Sequence, residues 1–278
     1  MLNYSDEKLW ELLNGIAPSC DFAKSSDIEN TLFRFISFDI FNKYQLVLDK
    51  LASDKRPWLK NIHRTRAWDY PFTLCNLKYK KGAKLLDAGC GFSPLTPFLA
   101  DLGFDVYGVD ETINLQLLPN ESYFNDSKEG TIIDVWGKRD NLKYIHGNMG
   151  NLNFENNYFD VVICVSVLEH IHPLSYIKTI VNEFARVVKP GGQVILVIDF
   201  VYSDHFIKTR KGENVTQIDY KEIALCDERL SVVGGFNEKL PGGKDYDEKS
   251  LKSAGVYFVN LYGHDESSIG IILEKKSL

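Results

Sequence analysis

Apolar residues in the first 80 positions recur at helical spacing. Ile28, Leu32, Phe35, Ile36, Ile40, Tyr44, Val47 and Leu51 follow one another mostly at three- and four-residue steps, which predicts an amphipathic helix from about Asp27 to Leu51. Before it, Ser5 is placed to cap a short helix. Asp6 and Glu7 fall in its first turn, followed by Leu9, Trp10, Leu12 and Leu13. Pro57 and Pro71 break the chain after that into short pieces. Residues 1–80 therefore read as a helical cap lying on something else.

At Lys84 the texture changes. KLLDA is a short buried strand stopped by Gly89 and Gly91, and Thr96 to Leu102 reads as a helix. Asp105 to Asp110, Leu142 to His146 and Tyr158 to Val165 read as three further strands. Pro173 opens a helix that runs to about Val188, because a missing N–H does no harm in the first turn. Pro190-Gly191-Gly192 ends that helix, and Gln193 to Asp199 is a fifth strand. Strands alternating with helices imply crossover units and a parallel sheet with helices on both faces. Val256–Leu261 and Ile269–Leu273 are apolar runs joined by a polar stretch, Tyr262 to Ser268, which predicts a terminal antiparallel hairpin. Residues 81–278 thus form one α/β unit with insertions at 112–141 and 202–255, the second rich in charge, Gly and Pro.

Composition narrows the class. At 278 residues, 44% hydrophobic and 25% charged, the chain can bury about three quarters of its unfolded surface without staples. A net charge of −6 provides no global positive field to gather phosphates, which argues against nucleic acid as a partner. Lys208, Arg210 and Lys211 form a compact basic run in the second insertion, more simply read as a solvated loop. Five scattered cysteines with no C-x-x-C pair fit a reducing compartment and no structural zinc. An acidic start without an apolar core is no secretory leader, and Arg34, Asp39, Asn42 and Lys43 interrupt the greasiest stretch, Thr31–Leu51. The expectation is a cytoplasmic protein without a membrane partner.

The chemistry-bearing segment is Leu85-Leu-Asp-Ala-Gly-Cys-Gly-Phe-Ser93, directly after the first strand of the α/β unit. Ligands of such sheets bind outside the carboxyl ends of the strands. Gly89 and Gly91 let the backbone turn tightly and a ligand lie against it. Asp110 closes the next strand, where a carboxylate can accept from both ribose hydroxyls. A dinucleotide fingerprint would need a third glycine, and Pro94 stands at that position. Asp87, just before the turn, would repel a pyrophosphate and welcome an ammonium. A nucleoside with a cationic tail fits better: S-adenosylmethionine.

With these residues in view, the sequence resembles the class I S-adenosylmethionine-dependent methyltransferases, in the small-molecule branch with a V-L-E-H signature. LLDAGCGFSP is similar to the family's first motif and VYGVD to its second strand with the acidic ribose ligand. NNYFDVVICVSVLEHI is similar to the fourth-strand motif, and FARVVKPGGQVILVID to the motif around strand five. The resemblance covers about residues 82–199 in the family's order. It implies a Rossmann-like doubly wound seven-stranded sheet, mostly parallel with a C-terminal antiparallel hairpin. It also implies S-adenosyl-L-methionine as cofactor and S-adenosyl-L-homocysteine as product. Carried onto this chain, Gly89, Cys90 and Gly91 would wrap the methionine and ribose, Asp87 would meet the amino group, and Asp110 the ribose with Glu111 beside it. Asn148 and Met149 fall where the family usually has an acidic adenine ligand, and the Asn148 amide oxygen could accept from the adenine amino group in its place. Val165 and Ser166 would line the methionine side, and Arg66 or Tyr70 of the cap would cover the methionine carboxylate.

Other residues divide between sharp and bland readings. Glu169 and His170 could be structural features of their turn, or His170 could face the acceptor and take its proton, with His172 a weaker version of the same idea. A metal site there is disfavoured, because residues two apart do not share a helix face. Tyr202, His205, Lys208 and Arg210 border the acceptor side by topology, and Trp58 and Trp68 read as cap packing before ring stacking. No [DNS]-P-P-[YF] segment follows the fourth strand and no Pro-Cys nucleophile is present, which counts against base methylation. The expected activity is methyl transfer to a hydroxyl or amine of a small molecule such as a saccharide or natural product. Protein methylation and non-catalytic cofactor binding are the alternatives.

Overall fold

In a computed structural model of the chain the described residues are 21–24, 26–27, 34, 36, 39–44, 65–78, 81–111, 136–202, 207–208, 214–215, 219–236, 256, 259–261 and 264–277. The expected first helix, Trp58, His205, Arg210, Lys211 and nearly all of the 112–141 insertion lie outside them. The expected Asp27–Leu51 helix is helical at its described positions 27, 34, 36 and 39–44.

In chain order the elements are β1 (Asp21–Phe22), α1 (Arg66–Asn76), β2 (Lys84–Ala88), α2 (Leu95–Asp101), β3 (Asp105–Asp110), β4 (Leu142–His146) and β5 (Phe159–Val165). A short 3-10 turn (Leu168–His170) precedes α3 (Leu174–Val187), β6 (Val188–Tyr202), β7 (Ile207–Lys208) and β8 (Asn214–Val215). The chain continues with α4 (Tyr220–Ala224), β9 (Leu230–Val232), β10 (Val259–Leu261) and β11 (His264–Lys275). The main sheet runs β1-β11-β6-β5-β2-β3-β4. Pairing from β4 through β6 is parallel, and β11 is antiparallel to β6 from Asp265↔Tyr202 to Glu274↔Gln193.

Side chains alternate across the sheet, as the pleat requires. One face (Leu85, Val106, Val161, Ile163, Ile195, Val197 and Ile272) packs under α1, α2 and the helical residues around Ile40. The other (Leu86, Val109, Val162, Cys164, Leu196 and Ile271) packs under α3 and α4. Both faces are covered, so the central strands read as continuous apolar runs.

Three expectations need correction. The polar stretch before β11 is no seven-residue loop, because Leu261 pairs with His264 and β11 extends back to His264. Pro190-Gly191-Gly192 does not end the helix, which stops at Val187. The three residues form an irregularity inside β6, where Gly191 has φ +74 and a Cβ on Gly192 would come 2.7 Å from the Asp160 carbonyl. The N-terminal region is not wholly helical, since β1 pairs with the middle of β11 at Asp21↔Gly270. The outer edge of β11 is thus covered by three short strands, β10 at one end, β1 in the middle and β9 at the other. Such short pieces satisfy an edge that would otherwise present unpaired N–H and C=O groups.

The cap meets this strand closely. A Cβ on Gly270 would fall 2.2 Å from the Phe72 ring of α1, so the bare backbone is what lets the ring lie down on the strand. Gly270→Ala is expected to destabilise by about 1–3 kcal/mol through overpacking. In combination with Phe72→Leu, the loss should be smaller than the sum of the two single losses. Urea unfolding of the four proteins checks this, and strict additivity would remove the proposed contact.

Candidate functional site

The parallel strands end along one crest, and their carboxyl ends bring together the Asp87–Gly91 turn, Asp110, Gly147–Met149, Val165–Ser166 and Asp199. At the turn, Gly89 has φ +77 and its N–H donates to the Val109 carbonyl at 2.7 Å. A side chain there would collide with Val167 at 2.6 Å. Gly91 has φ +45, its N–H donates to Asp110 Oδ2 at 2.9 Å, and a Cβ on it would meet only that oxygen, at 3.9 Å. The second glycine therefore faces open space bordered by a carboxylate, as close approach of a nucleoside requires. Cys90 is buried with its side chain against β3, so only its backbone is available to a ligand. Burial, with Asp87 and Asp110 nearby, pushes its thiol well up. Glu111 is exposed beside Asp110.

Asp87 is buried and its Oδ2 accepts from Thr96 Oγ1 at 2.6 Å. Burial pushes its carboxyl up from 3.8 to about 7, the Thr96 bond opposes this, and Asp110 adds to it. Beyond β4, Asn148 Oδ1 accepts from the Gly150 N–H at 2.6 Å and from Tyr176 Oη at 2.5 Å. An amide oxygen has two lone pairs and both are used. In this structure the oxygen expected to accept from an adenine amino group is engaged by Gly150 and Tyr176 instead. Met149 is partly buried against the core.

The cap closes the other end of the crest. Tyr70 is buried and its hydroxyl lies 3.2 Å from Ser93 Oγ, joining α1 to the glycine turn. Arg66 Nη1 donates to Asp69 Oδ2 at 2.6 Å, to both Asp199 oxygens at 3.3 Å and, more closely, to Ser166 Oγ. Ser166 has φ +54 and donates to Asp199 Oδ1 at 3.1 Å, and Ser268 Oγ donates to the same oxygen at 3.3 Å. Burial works against the guanidinium charge, and Asp199 and Asp69 outweigh it. Glu169 is wholly buried, and neither carboxyl oxygen makes a hydrogen bond of good geometry. Burial first, then Asp199, with a smaller push from Asp69, raise its carboxyl well above the usual carboxylate range, against the pull of Arg66.

Of the predicted residues, Asp87, Gly89, Gly91, Asp110, Asn148, Val165 and Ser166 stand on the crest, and Arg66 is tied to its β5 and β6 end. The His170 side chain is 44% exposed, with Nε2 3.7 Å from Glu169 Oε1. His172 is exposed. Trp68 stacks on Phe72 at 4.4 Å and donates to Asp27 at 2.8 Å, so it is a packing residue. The side chains of Tyr202 and Lys208 lie outside the described residues. Sequence reasoning missed Asp69, Asp199 and Tyr176. Asp199 was within reach, because it follows the buried run QVILVI.

Residues 86–196 match the family described as "Methyltransferase domain". A demethylmenaquinone methyltransferase of Geobacillus sp. (strain WCH70) is 33% identical over 126 residues, 44% of this chain and 48% of that one. The mitochondrial ubiquinone biosynthesis O-methyltransferase of Schizosaccharomyces pombe is 32% identical over 117 residues, 41% of this chain and 37% of that one. Among solved structures, a Bacillus halodurans protein described as a methyltransferase has the same fold at TM-score 0.51 and 15% identity, over 76% of this chain and 100% of that one. The chain spans about half the length, or less, of the curated relatives it matches.

Asp87 yields a signed prediction. Its folded pKa is raised, so between about pH 4 and 7 the folded state holds a proton that the unfolded state has released. The group thus costs stability progressively as pH rises through that window, and the cost is complete above it. Asp87→Asn keeps an acceptor for Thr96 and removes the cost. Its stability relative to wild type should therefore grow from pH 4 to pH 8, by up to about 4 kcal/mol. Urea titrations at the two pH values test this, and a pH-independent difference would contradict it.

Proposed function

From the match of residues 86–196 to a methyltransferase domain, we infer that this chain is a class I S-adenosylmethionine-dependent methyltransferase that transfers a methyl group to a hydroxyl or amine of a small molecule such as a saccharide or natural product. The observation that carries the reading is the pairing of Gly91 with Asp110: a glycine backbone facing open space, with the carboxylate of the next strand bordering it. The cofactor supplies a methyl group already activated on a sulfonium, which leaves the protein to bind, orient and exclude water.

Each residue has a role in that task. Asp110 accepts from the Gly91 N–H and would also accept from the ribose hydroxyls. Asp87 would receive an ammonium, which would favour its ionised form and pull its pKa back down. The exposed part of the Arg66 guanidinium would meet the methionine carboxylate, while Asp69 and Asp199 fix its direction. Gly89, Val165 and Ser166 form the wall between these charges. His170, reaching outward from the 3-10 turn after β5, would take the proton of a hydroxyl acceptor. An amine acceptor would need only to arrive neutral.

A small-molecule acceptor is supported by the net charge of −6, by Ser166-Val-Leu-Glu after β5 where base-methylating enzymes carry another segment, and by the quinone-pathway names of the relatives above. We place the enzyme in the cytoplasm, working without nucleic acid or membrane. No helix among the described residues is long and apolar enough to cross a bilayer.

Calorimetric titration with S-adenosylmethionine and S-adenosylhomocysteine is the direct test. Wild type should bind both. Asp110→Ala should lose about tenfold to a hundredfold or more in affinity, as expected for charge-assisted hydrogen bonds worth about 1.5–3 kcal/mol each. Unaltered binding by the variant, or none by wild type, would sink the assignment. With a hydroxyl acceptor in hand, His170→Ala should lower kcat by about 10²–10⁴ and leave cofactor affinity unchanged. Equal loss of both would make His170 structural.

A further inference from the structure

We infer that this chain reads the adenine ring of its cofactor with a hydrogen-bond donor at Asn148, and that Tyr176 and Gly150 are the positioning residues that fix this polarity. The inference rests on the cofactor site proposed above and concerns the base, which that proposal leaves unread.

The orientation of the Asn148 amide is dictated by chemistry. A backbone N–H can only donate, so the atom 2.6 Å from the Gly150 nitrogen must be the carbonyl oxygen. Tyr176, in the first turn of α3, donates its hydroxyl to the same oxygen at 2.5 Å and fills the second lone pair. Gly150 makes room for this, since a Cβ there would sit 2.9 Å from the Tyr176 ring and hydroxyl. The amide NH₂ must then point away from both donors. Asn148 follows β4, whose last residue His146 is registered beside Asp110, the carboxylate that borders the open space at Gly91. Gly147 also donates to the Asp110 carbonyl at 3.2 Å, which holds this turn against the ribose end of the crest.

The consequence lies in the pattern of the base edge. Adenine presents a donor at its 6-amino group and acceptors at its ring nitrogens. A carboxylate at position 148 could hold the Gly150 and Tyr176 donors on one oxygen and accept from the amino group with the other. The amide cannot, because its remaining group is itself a donor. The NH₂ can serve only a ring nitrogen, so the 6-amino group contributes nothing to affinity through this residue.

The test compares S-adenosyl-L-homocysteine with its 6-deamino analogue, in which hydrogen replaces the amino group and every ring nitrogen remains. Both are titrated by calorimetry into the full-length wild type and Asn148→Asp. Wild type is expected to bind the two ligands within about threefold of each other. Asn148→Asp is expected to prefer the amino form by about tenfold or more, through a restored charge-assisted bond. A wild-type preference of about tenfold or more for the amino form would overturn the inference and leave the cofactor site standing. Failure of wild type to bind either ligand would overturn both together. If the variant does not fold, the wild-type comparison alone decides.

Discussion

One guanidinium holds the cap to the carboxyl edge of the sheet. Arg66 reaches from the start of α1 to Ser166 at the end of β5 and Asp199 near the end of β6, and Asp69 returns to it from three residues further along the same turn. Three carboxyl groups, those of Asp69, Asp199 and Glu169, act on this single positive charge. Full ionisation of such an arrangement is costly, and burial raises the Glu169 carboxyl in the direction that lessens the excess negative charge. Removing one member of a buried ionic group typically costs about 3–5 kcal/mol because its partners are left uncompensated. The cap therefore cannot slide along the crest without losing more than packing could return. The site beneath it takes its shape from that restraint.

The glycine turn is anchored to the same restraint from the other side. Tyr70, one turn further along α1, contacts Ser93 just past Gly91, and Gly91 is bound to Asp110. A continuous path of polar contacts thus runs from β6 through the cap helix to the ends of β2 and β3. Each link joins segments far apart in sequence, which is why the crest behaves as one surface built from many loops. Glycines at 89 and 91 are needed for two different reasons, one to clear Val167 and one to leave the ligand side bare.

Much of this was legible before any coordinates. The central strands announce themselves because they are buried on both faces and so carry unbroken apolar runs, and the D-x-G-x-G turn because only glycine tolerates its backbone. Asp110 followed from its place at the end of the strand after the glycine turn. What escaped had no local signal. β1 has two residues and β9 three, too few for any periodicity, and their existence is dictated by the exposed edge of β11. Asp69 looks like an ordinary polar position until folding gathers it with Glu169 and Asp199. Asn148 was found, but the direction of its amide depends on Gly150 and on Tyr176 in a helix 28 residues further on. No inspection of the turn by itself supplies that.

The position of β1 has a consequence for the order of events during synthesis. Asp21 pairs with Gly270, so the partner of an early strand is made far downstream in the chain. At translation rates of about 5–20 residues per second, the early strand exists for on the order of ten to fifty seconds before its neighbour leaves the ribosome. Phe72 and Arg66 wait as well, the first for Gly270 and the second for Asp199. The parallel core from β2 to β6 is complete well before then. The cap must accordingly be fastened after the core it covers, by the later arrival of a single strand, β11.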